Sequence, residues 1–212
     1  MLRLDEVFYC YNTSMSKTIL YVDGENIRHY IKTVLVSEGV SEKDFNLENF
    51  DLSSLFDQVL RGFVISEKRY YAAKLRFHKS NPSKSNELIL KQRIQKNNFE
   101  RSGIKFILGG NVRAQDLTIG GKKKTIFREK GVDVKIAVDM VTNSCDKIVD
   151  TVILCSSDSD LQPAVKEAIS REVKVIYLGF EINPNKGLSY TASRTILIRN
   201  SEIIEVHNKS AL

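Results

Sequence analysis

Val152-Ile153-Leu154-Cys155-Ser156-Ser157-Asp158-Ser159-Asp160-Leu161 is an apolar run that breaks into a turn of small residues carrying two carboxylates one residue apart. A short apolar run bounded by turn residues reads as a strand buried on both faces, and the stretch 159–171 that follows has helical spacing. Two other segments repeat the arrangement. Thr18-Ile19-Leu20-Tyr21-Val22 runs into Asp23-Gly24-Glu25-Asn26, and Lys130-Gly131-Val132-Asp133 opens an amphipathic segment.

Working outward, strand and helix patterns alternate. Strand 18–22 precedes a helix from near Glu25, and a second helix follows Asp51, with Leu52, Leu55, Phe56, Val59 and Leu60 at helical spacing. Arg69–Phe77 reads as a strand, Pro82 to about Arg101 as a long polar helix and Ile104–Leu108 as a short strand. Leu117–Ile119 and Thr125–Phe127 flank Gly120-Gly121, which predicts an inserted β-hairpin near 116–128. Helix 131–144, strand 149–155, helix 159–171 and strands 173–178 and 195–198 complete the series. This alternation predicts an α/β fold of three layers, a mainly parallel sheet between two helical faces. It forms one domain over 17–200, with a terminal tail at 201–212. Residues 1–16 are expected to be an extension of uncertain role, because Met15-Ser16-Lys17 has the look of a translation start.

In a parallel α/β sheet the helix N-termini lie at the edge where the strands end. Asp23 and Asp158 end strands, while Asp133 and Asp160 open helices, so four carboxylates are expected at one edge. Asp139 is different. Six residues after Asp133 in a helix means a rise of about 9 Å and a rotation of roughly 240°, so the two cannot meet on one ion. With Val134, Ala137, Val138 and Val141 as the buried stripe, Asp139 lies off it and is expected to support a loop or bind a basic side chain. Four close carboxylates repel one another, and an all-oxygen set without Cys or His suits Mg²⁺ or Mn²⁺. The competing reading is helix capping, since Asp is a favoured N-cap. Capping accounts for one acid better than for the Asp158–Asp160 pair together with Asp23 and Asp133. Asn26 has an amide within reach of the site, and Ser156 and Ser157 bring hydroxyls to the same turn. With no histidine base indicated beside them, these serines are expected to orient groups rather than act as nucleophiles.

The 212 residues, 42% of them hydrophobic, suffice for an ordinary core. No apolar run approaches the roughly 18 residues of a membrane span, and the start lacks the pattern of a secretory signal, so no membrane association is expected. Cys10, Cys145 and Cys155 have no metal-ligand spacing, which fits a reducing cytoplasm, and Cys155 reads as a small buried hydrophobe. His29, His78 and His207 are scattered, which argues against a histidine zinc site. The net charge is +6. Basic residues group at Lys74, Arg76, His78, Lys79 and Lys84, at Lys91, Arg93 and Lys96, and at Lys122, Lys123, Lys124, Arg128 and Lys130. Any one group fits a solvated face; three beside an acidic centre point to a phosphate-bearing polyanion.

Tyr21–Ile27, Lys130–Val134 with Asp139, and Ile153–Leu161 resemble the three signature segments of the NYN domain, in the LabA-like branch of the PIN-like nuclease superfamily. The resemblance covers 17–200 in order and spacing. It implies a Rossmann-like fold and an Mg²⁺- or Mn²⁺-dependent ribonuclease, endonucleolytic in mode, with RNA as its partner. Asp23, Asp133, Asp158 and Asp160 then match the acidic positions and Asn26 the accompanying amide. This chain departs at Ser157, where the family usually has Gly, at Leu161 for Phe, and at Ser193 for Asp. Two other classes stay open: an RNA-binding or regulatory NYN protein with little catalysis, and a different Mg²⁺ enzyme of the Toprim-like or phosphotransfer kind. The turn at Asp23 fits the last less well. The hairpin cations Lys122, Lys123, Lys124, Arg128 and Lys130 are expected over the RNA backbone, with a merely solvated hairpin as the rival. Homodimers are common among soluble proteins, yet no segment here identifies an interface.

Overall fold

The computed structural model describes residues 16–41, 46–77, 79, 82–119 and 122–210, with the backbone alone over 113–129 and at 210. Residues 1–15, with Cys10, and His78 lie outside them. The elements in chain order are β1 (Thr18–Asp23), α1 (Gly24–Ser37), α2 (Leu52–Val59), β2 (Glu67–Lys74), α3 (Pro82–Arg101), β3 (Ile104–Ile119), β4 (Lys122–Lys130) and α4 (Val132–Cys145). There follow β5 (Thr151–Cys155), a 3-10 turn (Ser159–Leu161), α5 (Gln162–Ser170), β6 (Lys174–Phe180), α6 (Lys186–Thr191), β7 (Arg194–Ile198) and α7 (Asn200–Ser210).

The seven strands of the described residues form one sheet in the order β4-β3-β2-β1-β5-β6-β7. Six run parallel, and β4 alone pairs antiparallel, with β3. Each residue of β1 is buried, as a central strand covered on both faces requires. Leu20 and Val22 pack with Ile27, Ile31, Leu55, Phe56, Ile203 and Val206 of α1, α2 and α7. Ile19 and Tyr21 pack with Ile136, Met140, Val165 and Leu188 of α4, α5 and α6 on the opposite face. The result is the three-layer Rossmann-like arrangement expected.

The chain builds outward from β1 in one direction through β2 and β3, then returns to β1's other side with β5 and builds the opposite way. This reversal makes a crevice between the ends of β1 and β5, the place where open α/β sheets hold ligands. Asp23 and the turn after Cys155 stand on its two lips.

Several elements differ from the sequence expectation. The short strand ending at Leu108 and the first arm of the hairpin are one 16-residue strand, β3. The expected strand stops at Leu108, but at Gly109-Gly110 the register against β2 shifts instead, from Ala72↔Leu108 to Lys74↔Asn111. Gly110 has φ +72°, and a Cβ there would run into the Lys130 carbonyl oxygen. A bulge at this point lets the strand continue and bend into the hairpin. In α4 the inward stripe is Val132, Ile136, Met140 and Asn143, whereas Val134 and Val138 are 58% and 53% exposed. Polarity hid this stripe, because Asn143 turns inward to donate its amide to the Tyr21 hydroxyl at 2.6 Å. Ala137 and Val141 are partly buried as expected. The segment beyond 200, expected to be a tail, forms α7, whose Ile203 and Val206 complete the core under α1 and α2. No helix among the described residues is long and apolar enough to cross a membrane.

Candidate active site

β1 ends at Asp23 because its side chain caps α1. Asp23 Oδ1 accepts from the Asn26 backbone N–H at 3.2 Å, and Oδ2 accepts from Asn26 Nδ2 at 2.7 Å and from Ser156 Oγ at 3.0 Å. The residue is 5% exposed. Burial holds its carboxyl above the usual carboxylate range, the bonds from Asn26 and Ser156 oppose that shift, and the nearby Asp158 charge adds to it.

These contacts lock the two lips of the crevice together. Asn26 Oδ1 accepts from the Ser157 backbone N–H at 3.2 Å, so one amide side chain binds both β1's turn and β5's. Ser156 Oγ, while donating to Asp23, accepts from the Asp158 N–H at 3.1 Å. Asp158 Oδ1 in turn accepts from the Asp160 N–H at 2.9 Å and starts the 3-10 turn. Ser156 and Ser157 are therefore orienting groups. Among the described residues no histidine is a partner of either.

On the rim the picture changes. Asp133, Asp158 and Asp160 bring carboxylate oxygens within 4.8 Å of one another, with Asp133 and Asp158 half-buried and Asp160 exposed. Asp133 arrives there because Gly131, at φ +86°, turns the chain from β4 into the first turn of α4. Among the described residues no cation pairs with these three acids. Asp23, expected as a fourth member, stands outside the set, behind Ser156. Asp139 lies apart too, held by Lys135 Nζ at 2.6 Å and by the Tyr71 hydroxyl at 3.0 Å. Binding to a basic side chain is the role its helical position predicted. An all-carboxylate set without Cys or His fits a hard divalent cation, and repulsion among three unpaired acids gives it a physical reason to bind one.

Cys155 is buried beneath the turn, and desolvation pushes its thiol well up, so it is no nucleophile. Lys130 is exposed at the start of the Gly131 turn. The side chains of Lys122, Lys123, Lys124 and Arg128 lie outside the described residues.

Two residues here escape sequence reasoning. Asn185 caps α6 through the Leu188 N–H, donates its Nδ2 to the Ser157 carbonyl at 2.9 Å, and gives its own N–H to the Tyr177 hydroxyl at 3.0 Å. Tyr177 also shares a hydrogen bond with Ser157 Oγ at 3.3 Å. Together they tie the acidic turn to the end of β6. The signal available was Asn183-Pro184-Asn185-Lys186-Gly187, whose Asn precedes a helical turn as an N-cap does.

The NYN domain model matches residues 17–199. No curated protein matches the chain. Among solved structures, a protein of unknown function from Vibrio parahaemolyticus RIMD 2210633 is similar at 20% identity and a TM-score of 0.51, covering 88% of this chain and 95% of that one. That likeness concerns the fold. Three acids meet at a Rossmann switch point inside the matched span, and the chain belongs to the NYN domain family, within the PIN-like nuclease superfamily.

Proposed function

We propose that this protein is a metal-dependent ribonuclease that cuts RNA phosphodiester bonds internally at the Asp133–Asp158–Asp160 cluster. The observation that carries the reading is the meeting of three carboxylates, without a cationic partner among the described residues, at the crevice between β1 and β5. Asp133, Asp158 and Asp160 would hold Mg²⁺ or Mn²⁺, and Asp23 supports them from behind through Ser156. When bound, such an ion supplies Lewis-acid stabilisation of the charge that grows on the attacked phosphate and the leaving oxygen.

The remaining groups position and attract. Asn26, Ser156 and Ser157 fix the spacing of the two lips, and Asn185 with Tyr177 fixes the turn that carries Asp158 and Asp160. With Ser157 in place of glycine, that turn keeps its N–H occupied by Asn26. Lys130, together with Lys122, Lys124 and Arg128 in β4, gives the approach to the cluster a positive charge that draws in a phosphate backbone.

Incubation of labelled single-stranded and structured RNA with Mn²⁺, Mg²⁺ or a chelator, alongside Asp158→Asn, tests this reading. Cleavage that needs the metal and disappears in the variant is the expected result. Binding without cleavage under every condition would instead establish a regulatory RNA-binding module.

A further inference from the structure

β3 continues past its last pairing with β2, and from Val112 to Ile119 its only partner strand among the described residues is β4. At about 3.3 Å per residue, this two-stranded ribbon reaches roughly 26 Å beyond the parallel sheet. Its register determines which positions share a face, because directly opposed residues in an antiparallel pair lie on the same side and the sides alternate along each strand.

The pairs Arg113↔Arg128, Gln115↔Ile126, Leu117↔Lys124 and Ile119↔Lys122 occupy one face, with Asn111↔Lys130 at its base. The pairs Val112↔Glu129, Ala114↔Phe127, Asp116↔Thr125 and Thr118↔Lys123 occupy the other. The Lys122-Lys123-Lys124 triplet is therefore divided. One face holds Arg113, Arg128, Lys122, Lys124 and Lys130 and no acid; the other holds Lys123 with Asp116 and Glu129. In this register Asp116 is diagonal to Lys123. Arg113 is opposite Arg128, and the nearest charged position on the diagonal is Lys130.

Like charges directly opposite one another destabilise a strand pair. An isolated ribbon gains nothing from such a pair, whereas an anion lying across it removes the repulsion. The face also carries Leu117, Ile119 and Ile126 at positions between the cations. Lysines on an edge strand can simply prevent sheet-to-sheet association, and β4 is an edge strand. That role asks for charge on the edge and does not ask for an arginine pair on one face.

We propose that the Arg113–Arg128 face of the β3–β4 ribbon is the docking surface for the phosphate backbone of a single RNA strand, and that the Lys123 face is not. The ribbon ends at Lys130, three residues before Asp133, so a strand lying along this face is led to the acid cluster. The proposal rests on the ribonuclease reading and makes it specific.

Arg128→Glu and Lys123→Glu change the net charge equally, so the full-length variants separate a docking face from a general positive field. Binding of fluorescein-labelled oligouridylate is followed by anisotropy in a chelator across a salt titration. For Arg128→Glu the expected result is affinity lower by about tenfold or more, with the slope of log affinity against log salt reduced by about 0.7 for each phosphate no longer neutralised. Lys123→Glu stays within about twofold of the unaltered protein, slope unchanged, as expected for a cation that touches no phosphate. Arg128→Glu places an acid opposite Arg113, so its melting temperature should hold or rise, and Arg128→Gln removes the charge alone as a second check. Equal weakening by Arg128→Glu and Lys123→Glu, or no weakening by either, overturns the docking face while leaving the ribonuclease reading standing. Failure of the unaltered protein to bind the probe also overturns the docking face, while metal-dependent cleavage of RNA decides the ribonuclease reading separately.

Discussion

Asp23 and Asp158 sit at the ends of neighbouring central strands and are joined through a single serine hydroxyl, yet their surroundings are opposite. Asp23 is buried and accepts three hydrogen bonds from Asn26 and Ser156. Asp158 stands on the rim with Asp133 and Asp160, and among the described residues no cation answers the three charges. A satisfied carboxylate holds the fold together; an unsatisfied cluster is built to bind something. The ribbon shows the same contrast with the sign reversed, in the Lys123 face that also carries acids and the Arg113–Arg128 face that carries none.

The two acids should respond oppositely to mutation. Asp158→Asn should lower RNA cleavage by about three orders of magnitude or more, the scale of losing several kcal/mol of charge stabilisation. Its thermal stability should change by less than about 1 kcal/mol, because Asn keeps the cap on the 3-10 turn and relieves repulsion. Asp23→Ala should do the reverse to stability. It removes the α1 cap and strands Asn26 and Ser156, at a cost of about 2–4 kcal/mol. That corresponds to a fall in melting temperature on the order of 5–15 °C by calorimetry in a chelator.

The burial of Asp23 also shows in the pH dependence of stability. Its folded-state pKa is raised, chiefly by burial, so its contribution to stability is full below the unfolded value and declines as pH rises through the folded one. Asp23→Ala should thus cost more near pH 4 than near pH 8, about the reference carboxylate value and well above it. An equal cost at both would contradict the burial of a reluctant charge. A smaller effect is expected under α4. Tyr71→Phe leaves Asp139 with Lys135 alone and should cost about 1–2 kcal/mol. Denaturant melts would measure it, and a loss as large as that of Asp23→Ala would mean that Tyr71, not Asp23, anchors this region.

The sheet and the acidic edge were legible because they depend on features a sequence displays directly. Apolar runs that end in Asp mark strands entering turns, and parallel topology then sends those turns to one edge. Asp139's separation from Asp133 follows from helical geometry alone. What stayed hidden depends on pairing across the fold. The inward stripe of α4 includes Asn143, whose polarity disguises it until Tyr21 is placed opposite. The strand from Ile104 was expected to end at Leu108, because paired glycines have the same composition in a bulge as in a break. The separation of Asp23 from the rim cluster depends on Ser156 and Asn26 filling its oxygens, and the roles of Asn185 and Tyr177 depend on β6 lying beside β5. The division of the lysine triplet likewise needs the strand register.

The most direct test of the central contrast is a calorimetric titration with Mn²⁺ of the full-length protein and of Asp133→Asn, Asp158→Asn and Asp160→Asn. The unaltered protein should bind Mn²⁺, and each variant should bind it at least about tenfold more weakly, since each removes one anionic oxygen ligand from a hard-cation site. No binding by the unaltered protein, or equal affinity in all four, would contradict the assignment of the rim cluster as a metal centre.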